Sequence, residues 1–178
     1  LNLVINDRIK LDNFTMIAHA FQDSVDFLAR WNNWDEIANR GNLRANMLLS
    51  KPPGSAHPYM AIRVLPTTIT TYDTIWSVNP CQIFIDSNNI TIQDFSISHN
   101  QDLFGLNGKI SPDPEDVVDI IFRNFNLGNL NIATNPKGFQ IGGTLNGEAS
   151  FSGLYNNPLI VSDIGIDSQI VIVEKLST

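Results

Sequence analysis

The eight residues Ile90 to Ile97, ITIQDFSI, place apolar side chains at positions one, three, six and eight, with Asp94 at position five. Three other octets share this layout: Ile9 to Met16 (IKLDNFTM), Ile120 to Leu127 (IIFRNFNL) and Leu159 to Ile166 (LIVSDIGI). Each has Asn or Asp in fifth place and Phe or Ile in sixth. Period-two alternation marks a strand with one buried face. Between the third and sixth places that alternation slips by one residue. A slip turns the later side chains to the wrong face unless the strand bulges there. Asn and Asp tolerate the left-handed backbone a bulge needs. The octets therefore predict bent strands whose apolar side returns to one face. Their recurrence at unequal spacing predicts loosely repeated, stacked units.

A chain of 178 residues suits one large β domain. Few charged residues, with many Asn, Thr, Ser, Gly and Pro, favour strands and turns. The net charge of −7 argues against nucleic acid, which selects a basic surface. It also argues against simple docking on an anionic membrane face. No run approaches the roughly 20 apolar residues of a membrane-spanning helix. The sequence opens at Leu1 without a charged-then-apolar leader, which fits a mature chain or an excised piece. The lone Cys81 excludes an internal disulfide and reads as a small buried hydrophobe.

Along the chain, Leu1 to Ile5 reads as a short strand. From Ile17 the period changes: Ile17, Phe21, Val25, Leu28, Trp31, Trp34 and Ile37 recur at helical spacing. Asp23 or Ser24 would cap a helix and Gly41 would end it. One short helix is therefore predicted within 24–38, its tryptophans covering one end of the β core. A membrane-interface or sugar-stacking role is the sharper alternative. Leu43, Ala45, Met47 and Leu49 then share a strand face with Gly41, and Lys51 to Pro58 is a Pro-rich loop. Ile62 to Ile69 reads as a degraded octet bent at Pro66. Trp76, Val78, Ile83 and Ile85 form another bent segment, broken at Pro80. Phe104, Leu106, Gly108 and Ile110 share a face, as do Gly143, Leu145, Gly147, Ala149 and Phe151. Ser111 to Asp116 is a loop, Asn126 to Asn131 a short helical turn, and Gln169 to Val173 a last strand. Asn107-Gly108 and Asn146-Gly147 are hairpin-turn dipeptides, yet the alternation runs through both and favours continuous strands. Glycine within a strand marks a bulge or a close backbone approach.

No chemistry-bearing motif emerges. His19, His57 and His99 lie in different units without metal-ligand spacing. Asp113, Glu115 and Asp116 lack the pattern of a calcium loop and read as a solvated turn. Gly142 to Gly147 has the outer spacing of a phosphate loop, but Glu148 stands where lysine is required. The sequons at Asn13 and Asn89 overlap octets and read as coincidence. No carboxylate pair stands out for glycoside hydrolysis. The chain is read as a non-enzyme with no cofactor and no metal.

The octets together with the glycine-marked strands carry a family resemblance. WSVNP from Trp76, ITIQDFSI, LFGLNGKIS from Leu103 and DIIFRNFNLGNLN from Asp119 resemble the TamB family of translocation and assembly module proteins. So do GFQIGGTLNGEASFSGLYNNP from Gly138 and LIVSDIGI. The likeness is to the Bacteroidetes form, within the AsmA-like superfamily. It covers nearly the whole chain, best from 76 to 166, while the helical insert and the Pro-rich loop depart from it. The resemblance implies an elongated, curved antiparallel or mixed sheet folded lengthwise into an open half-pipe, the β-taco. Residues 1–178 would be a single segment of a larger protein. It implies a periplasmic location, an inner-membrane anchor outside this sequence, and an outer-membrane partner of the TamA type. The implied activity is phospholipid transport between the membranes, or assistance to outer-membrane protein assembly.

An eight-residue strand spans about 26 Å, and one leaflet's hydrocarbon is about 15 Å thick. A trough walled by such strands could shelter much of an acyl chain, sparing about 0.8 kcal/mol per methylene otherwise exposed to water. The expected lipid-groove lining is Ile90, Ile92, Phe95, Ile97, Leu106, Ile110, Phe122, Phe125, Leu127, Leu145, Phe151, Ile164 and Ile166. The small inward residues Gly108, Gly143, Gly147 and Ala149 would leave room for the guest, and the acidic exterior would leave head groups in water. The alternative is a closed β-sandwich or β-helix that binds carbohydrate or protein, with Trp31, Trp34 and Trp76 as a platform. A hydrolase on a β-helix is a third reading, needing two carboxylates across a groove.

Overall fold

Every extended segment leaves a row of backbone donors and acceptors that must be paired, and in the large sheet each full-length strand pairs with the next along the chain. The computed structural model describes residues 3–4, 10–11, 13–33, 39–51, 57–71, 74–130 and 139–173. Its strands are β1 (Leu3–Val4), β2 (Lys10–Leu11), β3 (Thr15–Phe21), β4 (Ser24–Asn33), β5 (Asn39–Ser50), β6 (Tyr59–Val64) and β7 (Thr67–Thr71). They continue with β8 (Thr74–Val78), β9 (Cys81–Asp86), β10 (Asn89–His99), β11 (Asp102–Ile110), β12 (Val117–Asn126), β13 (Phe139–Ser152) and β14 (Leu159–Val173). One 3-10 turn covers Leu127–Leu130, where a helical turn was expected. β1 and β2 pair with each other. The rest form a 12-stranded antiparallel sheet with β3 and β14 at its two ends. The chain is all-β.

β6 and β7 are halves of one bent strand, and so are β8 and β9. β5 pairs with β6 from Ala45 to Ser50 and with β7 from Asn39 to Gly41. β10 pairs with β9 from Asn89 to Gln93 and with β8 at Ile97 and Ser98. Each break holds a proline, Pro66 or Pro80, which has no N–H for a ladder. Nearby groups take up the freed partners. The Leu65 N–H donates to the Arg44 carbonyl (2.9 Å), the Thr67 hydroxyl donates to the Asn42 carbonyl, and the Asn79 N–H donates to the Ser96 carbonyl (3.0 Å). Seen so, the sheet is a plain meander. The bends expected at Pro66 and Pro80 are these two breaks.

The octet slip is a bulge in β10 and β12. Ile92 pairs with Gly108 and Phe95 with Leu106, so Gln93 and Asp94 face Asn107 alone. Asp94 takes a φ of 59°, and its N–H donates to Asn107 Oδ1 (3.3 Å). In β12, Arg123 and Asn124 face Asn146 between the pairs Phe122–Gly147 and Phe125–Leu145. Asn124 has φ 46° and donates to Asn146 Oδ1 (2.7 Å). In the first octet Asn13 has φ 50° and its side chain donates to the Asn32 carbonyl (3.3 Å). The fourth octet differs. Asp163 pairs in step with Glu148, and the register shift falls instead between Gly142 and Thr144, opposite Ser168 (φ 56°). In β10 and β12 the acceptor Asn comes from the following strand, and β14, at the end of the sheet, has none after it. Leu159 and Val161 consequently lie on the face opposite Ile164 and Ile166. β14 also runs unbroken through Gln169 to Val173, which therefore form no separate strand.

The predicted helix is replaced by β4 over Ser24–Asn33. Residues 34–38, with Trp34, lie outside the described residues. Val25, Phe27, Ala29 and Trp31 alternate onto one face, while Leu28 points with Asp26 and Arg30 to the other. The helical spacing came from counting both faces, and from joining Ile17 and Phe21 across the turn at Gln22 and Asp23. β4 pairs with β5 along its length and with β3 from Ser24 to Arg30, and that pairing overrides local periodicity.

Asn107-Gly108 and Asn146-Gly147 lie within continuous strands, as the alternation favoured. A Cβ on Gly108 would sit 2.2 Å from the Val117 carbonyl oxygen, and one on Gly147 2.0 Å from that of Asp163. Their φ values, 133° and 131°, are also ones that L side chains rarely adopt. Neighbouring backbone thus occupies the missing Cβ positions, so these two glycines do not measure room for a guest. We expect Gly147→Ala and Gly108→Ala each to destabilise the fold by about 2 kcal/mol or more in urea unfolding. Gly105→Ala, whose Cβ would meet nothing nearer than 3.8 Å, should change stability by less than about 0.5 kcal/mol.

Candidate functional site

Register draws the apolar residues into rows that cross the whole sheet. One row runs Ala20, Val25, Met47, Ile62, Ile83, Ile92, Gly108, Val118, Phe151 and Ile160, one residue from each bent strand. A second row is Leu49, Met60, Ile85, Ile90 and Ile110. Beyond the β10 bulge come Phe95, Leu106, Ile120 and Ala149, then Val78, Ile97, Phe104, Phe122, Gly147 and Ile164. Phe125, Leu145 and Ile166 follow the β12 bulge. The opposite face carries polar rows, such as His19, Asp26, Asn46, Arg63, Gln82 and Gln93. The bulges are what keep the two faces distinct.

The strand residues expected to line the groove share this apolar face, and Leu127 packs beside it from the 3-10 turn. They are not equally open. Phe125 and Leu145 are 6% and 9% exposed, and with Trp76 (8%) they form a small core against Ile97, Phe104, Phe122 and Leu127. Ala149 is buried, and the β10 and β11 residues are half-buried. Ile164 and Ile166 are about two-fifths exposed. Residues the sequence reading left out include Trp76, Val78, Ile83, Ile85, Val118 and Ile120. Their alternation was visible, but it had to be followed through Pro80 and ahead of the third octet. Cys81 is buried, and burial raises its thiol pKa.

The aromatic contacts reveal a bend. Trp76 on β8 and Phe125 on β12 are three strand spacings apart, about 14 Å across a flat sheet. Their ring centroids are 6.0 Å apart. Phe122 lies 5.4 Å from Phe104 and 5.7 Å from Phe125. The sheet therefore curls towards its apolar face here. The Tyr155 hydroxyl, in the loop after β13, likewise donates to the Asn88 carbonyl (2.9 Å) at the β9–β10 turn.

Among the described residues, little covers this face. Beyond the large sheet, the strands and helical turns among the described residues are the β1–β2 pair and the 3-10 turn. No described side chain is less than 2% exposed. The accessible surface is 11648 Å², whereas a compact protein of 19.8 kDa would expose about 8,600 Å². The polar face holds no metal-type grouping of three His, Cys, Asp or Glu among the described residues. Its acidic run is a hydrogen-bonded turn. The Asp116 carboxylate accepts from Lys109 (2.7 Å) and from the Ser111 hydroxyl (2.5 Å), which hold its pKa below the ordinary value. No described helix is long and apolar enough to cross a membrane. Comparison with family models, curated proteins and solved structures gives no match.

Phe125→Ala should destabilise the protein by about 3 kcal/mol, because it empties the centre of the aromatic core. Ile164→Ser, on the same face but open to solvent, should cost about 0.5 kcal/mol or less. Chemical denaturation of the pair checks this.

Proposed function

We propose that the apolar face carries phospholipid acyl chains, as a segment of a TamB-type bridge-like protein of the bacterial envelope. The observation that supports this best is the apolar row running from β3 to β14 with no second layer over it among the described residues. In this reading the bend at Trp76 and Phe125 is part of the wall of an open half-pipe. An acyl chain lying on such rows leaves water at each methylene it buries, at about 0.8 kcal/mol apiece. No position is much better than the next, so the chain can slide. No catalytic group and no cofactor are needed. The protein would work in the periplasm, held to the inner membrane by a segment outside this chain and meeting a TamA-type partner at the outer membrane. Apolar strands of unfolded outer-membrane proteins are the second cargo the same face could shelter. The carbohydrate or protein platform reading draws no support from the described tryptophans. Trp76 is buried in the core, and the Trp31 indole lies against Gly41 with its N–H donated to Asn39 Oδ1 (2.9 Å).

β14 provides a matched test. Ile160 and Val161 are 60% and 62% exposed, adjacent, and on opposite faces. Ile160→Asp should lower the lipid that co-purifies with the protein, measured by mass spectrometry of an organic extract, and Val161→Asp should not. A photo-crosslinking residue in place of Ile92 should label lipid, and one in place of Gln93 should not. Equal labelling at both sites, or no lipid at either, would sink the proposal.

A further inference from the structure

The two end strands stand apart from the rest of the sheet. Thr15 to Phe21 of β3 are exposed without a break, and so are Leu159 to Ser168 of β14. No other strand of the large sheet is exposed over such a length among the described residues. At both ends the polar side of the sheet also carries large apolar groups. Ile17 and Phe21 lie there beside His19, and Leu159 and Val161 lie there beside Asp163. Phe21 and Val161 are 72% and 62% exposed. A strand apolar on both sides suits the inside of a sheet and not its edge.

Direction and charge say which strand fits there. With β6–β7 and β8–β9 each taken as one, ten strand positions cross the sheet, every one antiparallel to its neighbours. An even number leaves β3 and β14 running in opposite directions. β14 of one copy therefore meets β3 of another in the same antiparallel sense, and the apolar face continues across the junction. β14 holds Asp163 and Asp167 and no cation. Paired with itself it would set carboxylates against carboxylates on one side, which repels. β3 holds no carboxylate and offers His19. In its own chain His19 stands opposite Asp26, whose carboxylate accepts from Asn46 (2.6 Å).

We propose that copies of this chain associate head to tail, with β14 of one copy adding to β3 of the next. The register that sets Asp163 against His19 of the next copy also sets Val161 against its Phe21, Gly165 against its Ile17 and Ile164 against its Ala18. Val161 and Phe21 then cover each other on the polar side, and Gly165 leaves room for Ile17. Ile164 and Ala18 extend the apolar face. The imidazole can donate an N–H to Asp163 in either protonation state. Sliding the strands by four residues would set Asp167 against His19 but Asp163 against Asp23. The contact joins two different edges, so growth does not stop at two copies. The inference does not rest on the lipid reading.

Sedimentation velocity of the chain, from micromolar to millimolar concentration, is the test. The mean mass should rise with concentration past that of two copies. Ile17→Lys and Gly165→Lys each block one end, since lysine on an edge strand opposes strand addition. Ile17 is exposed, and a Cβ on Gly165 would meet nothing nearer than 3.9 Å, so both variants should keep the parent's circular dichroism and urea midpoint. Each alone should be monomeric where the parent associates. An equal mixture, which retains one intact β14 and one intact β3, should form a one-to-one dimer and nothing larger. In a separate pair, His19→Asp should weaken association about fivefold or more, and adding Asp163→Lys to the same chain should restore it. A parent that stays monomeric throughout, a blocked variant that dimerises by itself, a mixture that stays monomeric, or a charge exchange without effect overturns the proposal.

Discussion

A strand that carries its apolar side chains along a wide, bending sheet must keep its phase. Period-two alternation has no tolerance: one extra residue turns every later side chain over. This protein absorbs the extra residue with a backbone N–H that the ladder cannot use. Asp94 and Asn124 take left-handed conformations, and the freed N–H is accepted by Asn107 or Asn146 from the next strand. The following glycine, Gly108 or Gly147, allows the neighbouring backbone on its other side to close in. Apolar face, bend and close strand packing all rest on this small group. Without it, the residues of β10 beyond Asp94 would present Phe95 and Ile97 to the polar side.

That device was legible because each part leaves a residue-type mark: Asn or Asp in fifth place, Asn-Gly on the next strand, proline at a break. Pairing is what the sequence conceals. β4 satisfies a helical count as well as a strand count, because Leu28 on one face and Trp31 on the other fall at helical spacing. Only ladder bonds to β3 and β5 decide between them, and those bonds join residues far apart in the chain. The same limit hid Trp76. Its alternation with Val78 was visible, but its place beside Phe125 depends on a curl that spans three strand spacings. The glycines were legible as close approaches, and the direction of approach was not. The backbone reaching Gly147 comes from β14, within the plane of the sheet, and not from a guest above it.

With one layer among the described residues, the sheet gathers no large dry core there. Its tightest packing is the Trp76, Phe125 and Leu145 cluster, which is small. Stability must come largely from the ladder and from cross-strand pairs, each worth a few tenths of a kcal/mol to about 1 kcal/mol. The ends of the sheet lack even half of that support. β14 exposes Leu159, Ile160, Val161, Ile164, Ile166, Ile170 and Val171, and β3 exposes Met16, Ile17 and Phe21. Long apolar edge strands without lysine or proline invite pairing with another chain. The interior of the sheet is protected by its neighbours, and the two end strands are where any association by strand addition would begin.

Acyl-chain transport asks for the opposite of a pocket. A pocket binds because a few polar groups fix the ligand's orientation. Methylene groups offer nothing to orient, so the apolar rows can hold a chain only by the water they exclude. Uniform rows then matter more than deep ones, since a deep apolar hole would trap the chain that should move on. The aromatic cluster fits this requirement by spending its buried area on itself. Trp76 and Phe125 pack on each other and hold the curl. The half-buried isoleucines of β9 and β10 are left as the surface that a sliding chain would touch.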